Sequence, residues 1–132
     1  MLDQLPLRTD LPLERTFTQN EVDLIKQGFR ADSMDIKWSM LFEDGWLAFF
    51  RTWWPVPIFL LHLSEEADDV RIDQAYANRD TGSYSGTDTE EEMRLITFLI
   101  DRLLLGRMDA VLRKADGEPI TGLYLFYKVG NV

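Results

Sequence analysis

A two-residue turn at Asp44-Gly45, set between two stretches of alternating residues, constrains the fold of this chain more than any other feature. Asp-Gly is among the strongest hairpin signals because both central residues of a type I′ turn need a positive φ. With the turn at these residues, the predicted opposite pairs are Glu43 and Trp46, Phe42 and Leu47, Met40 and Phe49, and Trp38 and Arg51. We therefore predict a β-hairpin over residues 37–53 whose open end brings Arg51 beside Trp38.

The predicted hairpin is apolar on both of its faces. Alternation places on the first face Trp38, Met40, Phe42, Leu47 and Phe49, with Arg51 and Trp53 at the open end. The second face carries Lys37, Ser39, Leu41, Trp46, Ala48, Phe50 and Thr52. Because large exposed apolar patches are rare on soluble proteins, we expect another layer of this chain or a partner to cover the second face.

The N-terminal part predicts an arm followed by a helix. Residues 1–16 show no sustained period and contain two prolines, so we expect an extended arm over the surface. Thr18 then opens a helix, because Glu21 follows at the spacing of a capping box. Gly28 is placed to end this helix.

The clearest helix of the sequence follows a polar loop. Thr87 or Asp88 is placed to cap it, the carboxylates of residues 90–92 favour its positive end, and Gly106 is placed to stop it. Its apolar stripe consists of Met93, Ile96, Leu99, Ile100 and Leu103. We expect this long apolar helix to pack across the sheet, with a short second helix over residues 107–114.

Further strands are predicted over residues 58–64, 70–77 and 123–129. Runs of strands flanked by helices indicate an antiparallel sheet, here a meander of about five strands. The predicted fold class is α+β, with an N-terminal helix and the long apolar helix packed on the sheet. A length of 132 residues suits a single domain, 1–132, and leaves little room for two.

Composition excludes several classes of function. Fourteen basic against 23 acidic residues give a net charge of −9, which argues against nucleic-acid binding because phosphate contacts need clustered Lys and Arg. The absence of cysteine excludes disulfides, thiol catalysis and iron–sulfur clusters. His62 is the single histidine, so sites that need two are excluded, and we expect it buried or half-buried with one hydrogen bond.

Targeting and membrane signals are missing from the sequence. No basic region precedes an apolar stretch at the N-terminus, so it does not look like a secretory signal. The most apolar run, residues 53–63, is about half the length that a spanning helix needs and contains Pro55 and Pro57. We therefore predict a cytoplasmic protein with no membrane partner.

One short motif suggests catalysis. Asp80-Thr81-Gly82 has the letters of the aspartic-protease signature, whose chemistry requires two carboxylates that share one proton, and hence a homodimer here. In that setting the Asp follows an apolar strand directly, whereas Asn78 and Arg79 precede Asp80, which favours a turn. A hydrolase that uses Asp80 stays open as an alternative.

Cationic and aromatic residues concentrate at the open end of the hairpin, where Lys37, Arg51, Trp53 and Trp54 lie. Two interpretations are open. The arginine stem covers aromatic surface at a sheet edge, or Lys37 and Arg51 donate to an anion or carboxylate between walls of indole rings. No acidic cluster has the ligand spacing of a calcium loop, so we predict no metal site.

The same segments resemble a known family. Lys37-Trp38, Asp44-Gly45-Trp46-Leu47 and Arg51-Thr52-Trp53 resemble the start of an uncharacterised family of small bacterial proteins, with a Lys-Trp strand, a glycine turn and an Arg-Ser-Trp-Thr-Gly motif. Asn78-Arg79-Asp80 with Tyr84, and the leucine-rich helix ending in Gly106, are similar to its later part. Trp54 and Pro55 depart from it, since the family has Thr-Gly there. The resemblance covers residues 37–106 and implies a bacterial source and an α+β fold, but no activity.

We expect a binding module without catalytic residues or cofactors, which takes a partner protein or an anionic small molecule. Its predicted contact residues are Lys37, Arg51, Trp53, Asn78, Arg79 and Tyr84. One alternative is an acidic immunity-type inhibitor whose net charge of −9 masks a basic toxin. The other is the hydrolase that uses Asp80, and a homodimer is compatible with each of these functions.

Overall fold

The computed structural model describes residues 1–31, 36–51, 54–66, 68–84 and 86–120, which form an antiparallel sheet with two α-helices. The strands are β1 (Arg8–Asp10), β2 (Thr16–Phe17), β3 (Trp38–Glu43), β4 (Trp46–Arg51), β5 (Phe59–Glu66) and β6 (Asp69–Asn78). The helices are α1 (Gln19–Gln27) and α2 (Thr89–Leu99), and α2 continues into a π-helical segment, Ile100–Leu104. The predicted α+β class with an antiparallel sheet is confirmed.

The sheet has the order β1-β6-β5-β4-β3, and β2 also pairs with β6, so the described residues form six strands in one sheet. Strands β3 to β6 are the predicted meander. Strands β1 and β2 belong to the N-terminal arm, which runs along β6, and Leu11 N–H donates to the carbonyl of Ala75 between them. The predicted strand over residues 123–129 lies outside the described residues.

The hairpin has the predicted register along its whole length. Glu43 lies opposite Trp46 and Trp38 opposite Arg51, with the intermediate pairs as expected. Asp44 has a φ of 52° and Gly45 a φ of 85°, the positive values that the turn type requires. Arg51 and Trp38 are therefore neighbours across the two strands.

The first face of the sheet forms the main core. Its buried side chains from the meander include Trp38, Met40, Leu47, Phe49, Phe59 and Leu61. The helices add Val22, Ile25, Leu95, Ile96 and Leu99 to the same cluster. Each of these large side chains stabilises the fold by about 1.5–3 kcal/mol when it leaves water, so this layer holds the helices on the sheet.

Helix α1 has the predicted ends. Thr18 and Glu21 form a complete capping box, in which each side chain accepts a hydrogen bond from the backbone N–H of the other. Gly28 ends the helix with a φ of 70°. A Cβ at Gly28 would lie 2.7 Å from the carbonyl oxygen of Met40, so only glycine allows this approach to β3.

Helix α2 differs from a regular α-helix at its C-terminal end. Asp88 caps it as expected, and 11 α-helical residues are followed by five π-helical ones that end just before Gly106. Residues 107–114 contain turns and an isolated bridge from Arg113 to Pro119 instead of the predicted short helix. Within the described residues, no helix is long and apolar enough to cross a membrane.

The second face of the hairpin is covered on one side by the N-terminal arm. Leu5 is fully buried against Ala48 and Leu60, and Met1 and Leu2 pack around them. The chain therefore supplies part of the expected cover. Among the described residues nothing covers the same face towards β3, where Leu41 is 49% exposed.

Candidate functional site

A groove of about 930 Å³ lies at the β3 side of the open second face, and we call it the hairpin groove. The hairpin strands contribute mainly Ser39, Leu41, Phe50 and Arg51. The segment after α1 contributes Phe29, Arg30 and Ala31, and the segment after β4 contributes Trp54 and Pro55. The groove is therefore built from three parts of the chain.

One wall of the hairpin groove is anchored by backbone hydrogen bonds. Phe29 and Met40 exchange two of them, with N···O distances of 2.9 and 2.8 Å. The N–H of Ala31 donates to Ser39 Oγ at 3.2 Å. This bridge holds Arg30, which lies between the two bonded residues, along the edge strand β3 and next to the open face.

The charged residues of the described lining are of one sign. They are two arginines, Arg30 and Arg51, and the described lining contains no Asp or Glu. Arg30 is exposed and makes no hydrogen bond or ion pair among the residues that the structure describes. On a chain with a net charge of −9, a local surface of this kind is unusual and favours an anion.

The lining also contains large apolar side chains in contact with water. Trp54 is 44% exposed and Leu41 is 49% exposed. Phe29, Phe50 and Pro55 belong to the same lining. The groove thus combines positive charge with apolar surface, the two features that an amphipathic anion would use.

The predicted contacts of the hairpin end do not all reach this groove. Arg51 lines it, whereas Lys37 is half-buried just before β3 and does not belong to the described lining. Trp53 lies outside the described residues. Arg30 was missed by sequence reasoning, because only the bridge from Phe29 to Met40 brings it beside Ser39 and Leu41.

The other three predicted contacts, Asn78, Arg79 and Tyr84, lie together with Glu92 in a buried cluster that we call the Arg79 network. Arg79 donates from both terminal nitrogens to the two oxygens of Glu92, at 2.8 and 2.6 Å. Glu92 is only 3% exposed, so its carboxylate depends on this bidentate pair. The same hydrogen bonds raise the pKa of Arg79 and keep the guanidinium charged.

Tyr84 joins the Arg79 network to the aromatic core. Its ring meets Phe59 edge-on at 5.9 Å, and Phe59 stacks on Trp38 at 5.5 Å. Burial, and then the charge of Glu92, raise the pKa of the Tyr84 hydroxyl well above its usual range, so it stays protonated. A Cβ on Gly86 would overlap the Tyr84 ring, which explains the glycine at that position.

Asn78 and Asp80 shape the turn that carries Arg79. The buried Asn78 donates from Nδ2 to the carbonyl of Pro57 at 3.1 Å and accepts from Asp80 N–H at 2.8 Å. The Asp80 carboxylate accepts from Gly82 N–H at 3.0 Å, as in an Asx turn. That Asn78, Arg79 and Tyr84 contact a ligand stays a prediction, since the described polar groups of this cluster bond to one another.

Glu92 was also missed as a partner, because the carboxylates of residues 90–92 were explained by the helix dipole. A signal was present in the spacing. Glu92 precedes Leu95, Ile96 and Leu99 by three, four and seven residues, and therefore lies on the buried side of α2. A carboxylate on that side needs a cation or hydrogen-bond donors.

His62 has the single hydrogen bond that the sequence predicted. Its Nδ1 lies 2.7 Å from Asp73 Oδ1, its ring meets Trp46 edge-on at 4.8 Å, and it is half-buried. Asp73 reaches it because the register of β5 and β6 shifts at this point. Among the described residues, no group of three or more acidic, histidine or cysteine side chains could hold a metal ion.

Comparison with known proteins adds no identity to this geometry. No protein-family model, no curated protein and no solved structure matches the chain. The hairpin groove and the Arg79 network are therefore the features that bear on function.

Proposed function

We propose that this protein is a non-catalytic binding module that takes an anionic ligand with an apolar body in the hairpin groove. The observation that carries this proposal is the charge of the described lining, which has Arg30 and Arg51 and no carboxylate. The chain as a whole is strongly acidic. A patch of opposite sign then selects anions while the remaining surface repels them.

The geometry supplies enough interaction for such a ligand. A carboxylate 4 Å from one guanidinium gains about 4 kcal/mol at the effective dielectric constant of a protein surface, before desolvation is subtracted. Trp54 and Leu41 add apolar surface that a ligand would remove from water, at about 25 cal/mol per Å². Charge gives the preference for an anion, and the apolar side chains give the preference for an amphipathic one.

The described lining argues for binding without chemistry. Ser39 is its only hydroxyl-bearing residue, and Ser39 Oγ accepts a hydrogen bond from Ala31 N–H. A nucleophilic hydroxyl needs a neighbouring general base, and this lining contributes neither histidine nor carboxylate. Arg30 and Arg51 can bind a charge but are not proton acceptors.

A pair of fluorescent probes tests the proposal. 8-Anilinonaphthalene-1-sulfonate carries an aromatic body and a sulfonate, and N-phenyl-1-naphthylamine has a similar body without the charge. We expect Arg30→Ala to weaken binding of the sulfonate about tenfold and to leave the neutral probe unaffected, since a charged hydrogen bond contributes about 1.5–3 kcal/mol. Trp54→Ala should weaken binding of both probes, and salt should weaken only the first.

Arg71→Ala is the matched control, because Arg71 is an exposed arginine of β6 outside the hairpin groove. It should bind both probes like the unmodified chain. Equal sulfonate affinity in Arg30→Ala, Arg71→Ala and the unmodified chain would contradict the proposal. Unfolding of Arg51→Ala would show that Arg51 supports the hairpin, and Arg30→Ala and Trp54→Ala would then decide alone.

A further inference from the structure

The dimensions of the hairpin groove narrow the class of its ligand, given the proposed function. Leu41 on β3 is paired with Ala48 on β4, and Arg51 follows Ala48 by three residues along β4. Three residues of strand rise about 10 Å. Trp54 comes three residues after Arg51, and its N–H donates to the carbonyl of Arg51 in the turn that follows β4. This spacing along the strands is one that an extended chain can follow from Leu41 to Trp54.

The chain itself shows what kind of segment this sheet face accepts. Residues 1–5 lie on its covered side as a short 3₁₀ turn, with Leu5 buried against Ala48 and Leu60 and with Asp3 exposed. This segment is a short peptide with spaced apolar residues and one carboxylate. The face is thus able to hold a peptide by its apolar side chains while an acidic group stays at the rim.

The covered and open sides of the face are continuous. Phe50 packs against the Leu5 cluster and also lines the hairpin groove. The open side differs in its charge, because the exposed Arg30 lies there. A peptide on the open side would therefore meet the same kind of apolar floor and, in addition, a cation that matches a carboxylate.

We propose that the hairpin groove is the docking site for an extended acidic peptide of a partner protein, which places apolar side chains on Leu41 and Trp54 and a carboxylate at Arg30. Exposed tryptophan and arginine are the residue types that most often dominate protein–protein affinity. A second copy of this chain is a poor occupant, because a two-fold contact here would bring Arg30 towards the same cation of the other copy.

Selection from a random peptide library displayed on phage, with the full chain as bait, tests this inference. We expect the enriched sequences to combine large apolar residues with Asp or Glu. Synthetic copies of them should bind Arg30→Glu at least about tenfold more weakly and Trp54→Ala similarly, with Arg71→Glu as the unaffected control. Thermal unfolding of each variant shows whether a loss of binding comes from a loss of fold.

Three results would overturn the inference. No enrichment, or enriched peptides that bind Arg30→Glu like the unmodified chain, would exclude the acidic peptide. A concentration-dependent dimer that Arg30→Glu abolishes, measured by sedimentation, would assign the groove to self-association. If peptides fail while the naphthalene sulfonate still binds through Arg30, only the peptide is wrong. If the affinity for the sulfonate is also unchanged in Arg30→Ala, the proposed function is wrong as well.

Discussion

Arg79 and Arg30 carry the same guanidinium group in opposite surroundings. The Arg79 side chain is 19% exposed and gives both terminal nitrogens to the buried Glu92. Arg30 is exposed at the rim of the hairpin groove and has no hydrogen-bond or ion-pair partner within the described residues. The comparison shows that the bonding partner of an arginine, more than the residue type, determines its role. An arginine with a buried carboxylate partner stabilises the fold, whereas an exposed one without such a partner is available to a ligand.

Arg107 lies between these extremes. It is partly exposed and pairs with Glu21 of the capping box and with Asp101 of the π-helical segment. The three arginines therefore form a series in pairing, from the buried pair of Arg79 through the exposed pairs of Arg107 to Arg30. If the account is right, the cost of losing each interaction should fall in the same order.

The largest effect is expected for Arg79→Ala. Removal of this side chain leaves Glu92 buried without its cation, and breaking a buried pair in this way costs about 3–5 kcal/mol. Urea unfolding followed by tryptophan fluorescence measures the change, with Arg71→Ala as a control that should stay within about 0.5 kcal/mol. If Arg79→Ala lowers the free energy of unfolding by less than about 1 kcal/mol, the contrast between the Arg79 network and the hairpin groove is wrong.

A second test uses the Tyr84 hydroxyl at alkaline pH. Because the folded pKa of Tyr84 is raised above its unfolded value, the unfolded chain releases this proton first as the pH rises. The contribution of the protonated Tyr84 hydroxyl to the stability of the fold is fully present below about pH 10 and declines above it. We expect Tyr84→Phe to show a smaller decline in urea midpoint from pH 9 to pH 11, and an identical decline would contradict the buried placement of this hydroxyl.

A smaller effect is expected for Glu21→Gln. The backbone N–H of Thr18, and then Arg107, lower the pKa of Glu21 in the folded chain. A lowered folded pKa stabilises the fold above the unfolded value of about 4.3, and this contribution is lost as the pH falls through the folded pKa. Glu21→Gln should therefore lower the melting temperature at pH 7 and lose that difference towards pH 3. A difference in melting temperature that grows as the pH falls would contradict the lowered pKa of Glu21.

The parts of the fold that were predictable are those set by neighbouring residues. Asp44-Gly45 and the alternation around it determine the hairpin and its register, because a slip of one residue would turn every side chain to the other face. Thr18 and Glu21 likewise determine the start of α1. Such local signals need no knowledge of the rest of the chain.

The parts that were missed depend on contacts between distant segments. Strands β1 and β2 have three and two residues, too few for an alternating pattern, and form only because β6 offers them an edge. Arg79 meets Glu92 across a loop, and Arg30 reaches the groove through the bridge from Phe29 to Met40. Of the five predicted contact residues that the structure describes, Arg51 is the one that lines the hairpin groove.

The central claim is that Arg30 serves a ligand and Arg79 serves the fold, and one paired measurement tests it directly. Urea unfolding and titration with 8-anilinonaphthalene-1-sulfonate are carried out on Arg30→Ala and Arg79→Ala under the same conditions. The account predicts that Arg30→Ala keeps its stability within about 0.5 kcal/mol and binds the sulfonate about tenfold more weakly. Arg79→Ala should lose about 3 kcal/mol and, while still folded, bind the sulfonate normally. A destabilised Arg30→Ala with unchanged sulfonate affinity would contradict it.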